Sequence, residues 1–92
     1  MVPLQNFATA VLAEVIRRQP PSAARTTFAW QIAVGSALAR STTVELHAGV
    51  VRVRARDLRW AREIERAAPT IVGRMQHLLG AALVTGIEIA SD

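Results

Sequence analysis

The segment TTVELHAGVVRVRAR, residues 42–56, alternates apolar and polar side chains on either side of a small-residue turn. Successive side chains of a strand point to opposite faces, so the pattern predicts a β-hairpin with one buried face. Val44 and Leu46 share a face of the first strand; Val51, Val53 and Ala55 share a face of the second. For all five to meet one core, Leu46 must lie opposite Val51 and Val44 opposite Val53, because a slip of one residue turns every side chain over. Parity then demands an even loop, either Ala48-Gly49 or the four residues His47 to Val50. A two-residue type I′ turn asks Ala48 for positive φ, so the four-residue loop is the expectation. In this register Glu45 faces Arg52 and Thr43 faces Arg54.

The flanking segments read as helices and one further strand. Residues 4–18, LQNFATAVLAEVIRR, place Leu4, Phe7, Ala8, Val11 and Val15 on one helical face, with Leu12 beside them. Gln19-Pro20-Pro21-Ser22 ends that helix, since both prolines lack a donor and Pro20 disfavours helix at the preceding residue. A second helix is expected to start at Thr26 or Thr27, whose hydroxyl can cap free N–H groups, and to carry Trp30, Val34 and Leu38 at a spacing of four. Gly35 inside it costs about 1 kcal/mol against alanine and marks a close backbone approach or an early break. After the hairpin, Asp57 caps a helix over LRWAREIERAA with Leu58, Ala61 and Ile64 inward. Pro69 suits the first turn of a new helix, TIVGRMQHLL, which buries Ile71, Met75 and Leu78, with Leu79 beside them, and stops at Gly80. Ile87 and Ile89 then alternate with Glu88 in a last strand. The expected fold is α+β in the order α-α-β-β-α-α-β, a three-stranded sheet with helices packed on one face.

Ninety-two residues supply one modest core, so residues 1–92 read as a single domain. No apolar run approaches the roughly 20 residues that span a bilayer. No signal peptide with a charged start and a small-residue cleavage site opens the chain, and the expected compartment is the cytoplasm. With no cysteine there is neither disulfide nor thiolate metal site.

Catalysis is not indicated. The sequence lacks Cys, Lys and Tyr, and His47 and His77 lie on different elements without metal-ligand spacing. His47, at the hairpin turn, is expected in solvent. Glu63 and Glu65, two apart on a helix, point apart. Neither phosphate-cradling glycine motif is present. No catalytic, metal or cofactor site and no small-molecule substrate is therefore expected.

Charge is more informative. All eleven basic residues are arginine, each a flat, weakly hydrated fork suited to phosphate and carboxylate. Residues 50–66 hold six arginines against Asp57, Glu63 and Glu65, which is +3 of the formal net +4. One reading is a solvated face that discourages edge-to-edge aggregation, with Glu45 absorbing Arg52. The other is a polyanion surface of Arg52, Arg54 and Arg56, with Arg54 and Arg56 foremost. Arg59, Arg62 and Arg66 extend it along the next helix, partly answered by Glu63 and Glu65. Trp30 lies on an apolar line and belongs to the core. Trp60 falls off the line of Leu58, Ala61 and Ile64, between Arg59 and Arg62. It fits a core edge, a stacking platform for a base, or a partner's pocket.

Trp30-Gln-Ile-Ala-Val34-Gly35, then Gly49 before Val-Val-Arg-Val, then Arg59-Trp-Ala-Arg-Glu-Ile64, then Leu78-Leu-Gly80 before a closing strand, is an ordered set that resembles the bacterial DciA family over residues 4–90. The resemblance implies a KH-like domain of type II topology, with which the β-β-α-α-β order from residue 42 agrees. It also implies a loader or operator of the replicative DNA helicase that contacts both DNA and the helicase. Joined to the basic segment, it leads us to expect a non-enzymatic accessory factor with weak, non-specific affinity for single-stranded DNA. The candidate contacts are Arg52, Arg54, Arg56, Arg59 and Arg62, with Trp60 as a partner contact. Two departures qualify the match. The G-x-x-G loop with which KH domains grip nucleic-acid backbone is replaced by Ala67-Ala68-Pro69-Thr70, so KH-style RNA binding is not supported. Many family members also carry a basic carboxy-terminal tail, whereas this sequence ends at Asp92, which puts the expected contacts on the folded domain. A protein-interaction module that seats an acidic partner, and a sequence-tolerant RNA binder, remain alternatives. Salt-dependent DNA binding separates the first of them from the helicase factor.

Overall fold

The computed structural model describes the backbone of residues 4–91 and the side chains of residues 11–91. Strands β1 (Thr42–His47) and β2 (Val50–Ala55) pair antiparallel in the register that the alternation demands, with Val44 opposite Val53 and Leu46 opposite Val51. Strand β3 (Gly86–Ser91) joins β2 in parallel, so the sheet is mixed and its order is β1-β2-β3. Val51, Val53 and Ala55 are buried and Arg52 and Arg54 exposed. Ile87 and Ile89, the register partners of Val51 and Val53, pack against the same core.

The hairpin turn differs from expectation. His47 pairs with Val50, leaving Ala48-Gly49 as a two-residue turn, with Ala48 at φ 50° and Gly49 at φ 84°. Alanine in this region costs about 1–2 kcal/mol. Holding the tip from outside the hairpin is Thr85, whose backbone N–H and hydroxyl both donate to the Gly49 carbonyl, at 2.7 and 3.1 Å.

Three helices precede the sheet: α1 (Leu4–Arg18), α2 (Ala23–Val34) and α3 (Ser36–Arg40). α1 buries Ala13 and Ile16, while Val11, Leu12 and Val15 are 50, 38 and 50% exposed. The expected apolar face is thus turned outward at Val11 and Val15; Leu4, Phe7 and Ala8 lie outside the described side chains. The cause is the seat on the later helix that holds His77. Arg17 Nη1 donates to the His77 carbonyl at 2.6 Å, and one rotation brings Arg17, Ala13 and Ile16 to that side together. Arg17 and Arg18 also donate to Glu14, and these hydrogen bonds hold its carboxyl below the ordinary range.

α2 starts earlier than Thr26 or Thr27. Ser22 is its cap, the Oγ accepting from Arg25 N–H at 3.0 Å, and Thr26 instead buries its hydroxyl against the Ser22 carbonyl. Of the two readings of Gly35, the early break is the one realised. Its φ of 88° ends α2, and a Cβ there would meet nothing within 4 Å. Trp30 is buried, with Val34 and Leu38 partly so. The Trp30 indole N–H donates to Thr42 Oγ1 at 2.9 Å, and that hydroxyl donates to the Leu38 carbonyl, also at 2.9 Å.

α4 (Leu58–Leu79) makes the crossover that a parallel β2–β3 pair requires. Asp57 caps it as expected, its Oδ1 accepting from Trp60 N–H at 3.0 Å, and Gly80 ends it. The expected break at Pro69 is absent: one helix stands where two were predicted, and the element order is α-α-α-β-β-α-β. Ala61, Ile64, Ile71, Met75 and Leu78 form one buried stripe across the proline, and packing that stripe outweighs about 3 kcal/mol of local cost. Glu65, whose carbonyl loses its donor to Pro69, is exposed, so that carbonyl can meet water. Leu58, expected inward, is 55% exposed, because the first turn of α4 stands outside the core together with its exposed cap. The α+β class, the three-stranded sheet and the helices on one face stand as expected.

Candidate nucleic-acid interface

Helices cover one face of the sheet and leave the other open, so the parity of β2 decides what that open face carries. Arg52 and Arg54 project from it. Beside them lie Thr43 and Glu45 from β1 and Glu88 and Ala90 from β3, and together these line a shallow groove. Arg56 follows the end of β2. Its backbone N–H donates to the Ser41 carbonyl at 3.0 Å, which ties this extension to the start of β1. One residue on, Asp57 caps α4, so the chain passes directly from the arginine strand into the turns that carry Arg59 and Arg62. Both are exposed. Along β2 alternate residues stand about 6.6 Å apart, and positions three apart on α4 are neighbours at about 5–6 Å.

The arginines are not equivalent. Arg52 is engaged from both sides, with Nη1 3.8 Å from Glu45 Oε1 and Nε 3.6 Å from Glu88 Oε2. Arg66 pairs with Glu63 at 3.6 Å. Among the described residues, Arg56, Arg59 and Arg62 make no side-chain ion pair. The positive face therefore runs from Arg56 to the first turns of α4, with Arg52 behind a pair of carboxylates.

Trp60 is half-buried against the core at the foot of this run, which leaves part of its ring accessible. His47 is exposed, as expected. Sequence reasoning missed Glu88 as a neighbour of Arg52. Its outward parity was legible from Ile87 and Ile89, but not which strand β3 would join. Among the described residues, no group of three or more His, Cys, Asp or Glu could hold a metal ion. Nor is any described helix long and apolar enough to cross a membrane. What the arrangement can do chemically is offer planar, permanently charged donors to an anion with several charges along its length.

The family described as Dna[CI] antecedent, DciA, matches residues 4–89, nearly the whole chain. No curated protein sequence matches it.

Proposed function

Because the chain belongs to the DciA family, whose role in DNA replication is tied to loading of the replicative helicase and is that of an accessory factor, we propose that it is a cytoplasmic, single-domain partner of the replicative helicase that holds single-stranded DNA weakly and without sequence preference. The observation that carries the DNA part is the succession of exposed arginines, Arg54 and Arg56 before the Asp57 cap and Arg59 and Arg62 after it. Arg54, Arg56 and Arg59 are the phosphate contacts, Arg62 lies at their margin, and Trp60 offers its accessible edge to a base or to the partner. Neutralising about three phosphates of a single strand gives a log–log salt slope near −2, so affinity is modest and fades at physiological salt. Simultaneous attachment to the helicase supplies the missing affinity as effective concentration.

The test is the Arg54→Ala/Arg56→Ala variant in a salt titration against single-stranded oligothymidylate. The expected result is an unchanged fold, weaker binding and a slope shallower by about 1.4. Binding equal to the parent's at every salt concentration would overturn the DNA reading and leave the face to an acidic protein partner or to solvent.

A further inference from the structure

Arg52 stands in the middle strand of the open face, and each neighbouring strand presents a carboxylate at its level. Glu45 is its register partner on β1 and Glu88 its register partner on β3. At 3.8 and 3.6 Å the contacts exceed hydrogen-bond length, and side-chain exposures of 48, 69 and 66% for Arg52, Glu45 and Glu88 show that charge, not packing, holds the three together. The trio sums to one negative charge in the centre of a face whose adjoining margin is positive. A phosphate approaching Arg52 must displace two acceptors and bear their repulsion, whereas at Arg56 and Arg59 it meets neither.

The geometry points to Glu45 and Glu88 as specificity-determining residues: a carboxylate clasp that withholds Arg52 from a polyanion, limits affinity, and shifts the footprint toward Arg56 and Arg59. This inference rests on the single-stranded DNA reading of the same face. A phosphate chain is thereby steered across the Arg54 end of the sheet toward α4 and away from the hairpin tip. The clasp is a product of the fold. β1 contributes Glu45 through the hairpin, and β3 contributes Glu88 only because it pairs parallel to β2 in this one register.

The experiment removes the clasp. The Glu45→Gln/Glu88→Gln chain is titrated with oligothymidylate over a range of salt, and thermal melts check that it folds as the parent does. A freed Arg52 adds one phosphate contact, so the log–log slope steepens by about 0.7, and affinity rises about eightfold at ~50 mM salt, converging on the parent's toward ~1 M. Adding Arg52→Gln to the same chain is expected to abolish the steepening. An unchanged slope in the double variant, or a gain that survives loss of Arg52, overturns the clasp. If Arg54→Ala/Arg56→Ala weakens binding while the glutamines gain nothing, the clasp alone fails. If the arginine variant also binds as the parent does, the DNA reading and the clasp fall together.

Discussion

Arg52 and Glu88 are register partners in the parallel ladder between β2 and β3, and the guanidinium Nε stands 3.6 Å from the carboxylate Oε2. Both side chains are about half or more exposed, at 48 and 66%, so water competes for each. Such pairs contribute little to folding. Glu88→Gln is expected to change the unfolding free energy in urea by less than about 0.5 kcal/mol. A loss of about 2 kcal/mol or more would show that the pair holds β3 in place, and would give the carboxylate a structural role instead of an electrostatic one.

The hydroxyl of Thr42 joins three elements, accepting from Trp30 Nε1 and donating to the Leu38 carbonyl at the start of β1. Thr42→Val keeps the shape and removes the hydroxyl, stranding an indole donor on a side chain only 1% exposed. The expected cost is about 1–3 kcal/mol in urea denaturation with the m-value unchanged. Thr42→Ser, which retains the hydroxyl, should recover most of it.

At the hairpin tip the two turn residues respond in opposite directions. Ala48, at φ 50°, is expected to stabilise the protein by about 1 kcal/mol when replaced by glycine. Gly49→Ala is expected to destabilise it, since the added Cβ would lie 2.8 Å from Thr85 Oγ1 and the backbone sits at φ 84°. Thr85→Ala in the same chain removes the steric part and leaves the backbone strain. The two substitutions together should therefore cost less than their sum in a double-mutant cycle.

Pro69 lies inside α4 with its ring exposed. Pro69→Ala restores one backbone hydrogen bond and relieves the clash with the preceding turn, offset by a freer unfolded chain. The net gain is expected at about 2 kcal/mol, with stronger helical ellipticity. Equal stability would mean that the two arms of α4 pack no better when the ladder is complete.

What the sequence determined by itself are the features governed by near neighbours along the chain. The parity of residues 42–56 selects the hairpin register and turns Arg52 and Arg54 outward, because a one-residue slip would expose Val51 and Val53. Asp57 and Gly80 bound α4 through hydrogen bonds spanning three or four residues. Tertiary structure decided whatever depends on sums over distant contacts. The apolar residues of α1 span a broad arc, and the seat of Arg17 on the His77 carbonyl, 60 residues away, chose Ala13 and Ile16 over Val11 and Val15. Pro69 is locally a helix breaker, yet a stripe buried on both sides of it carries α4 through. Ala48 is locally wrong for its turn, yet Thr85, bonded to the Gly49 carbonyl 36 residues away, holds the tip from outside. The candidate site divides in the same way. Arginine spacing was written in one strand, but the carboxylate that occupies Arg52 arrives on β3, whose choice of neighbour is made by the packing of α4 beneath the sheet and not by the alternation of its own residues.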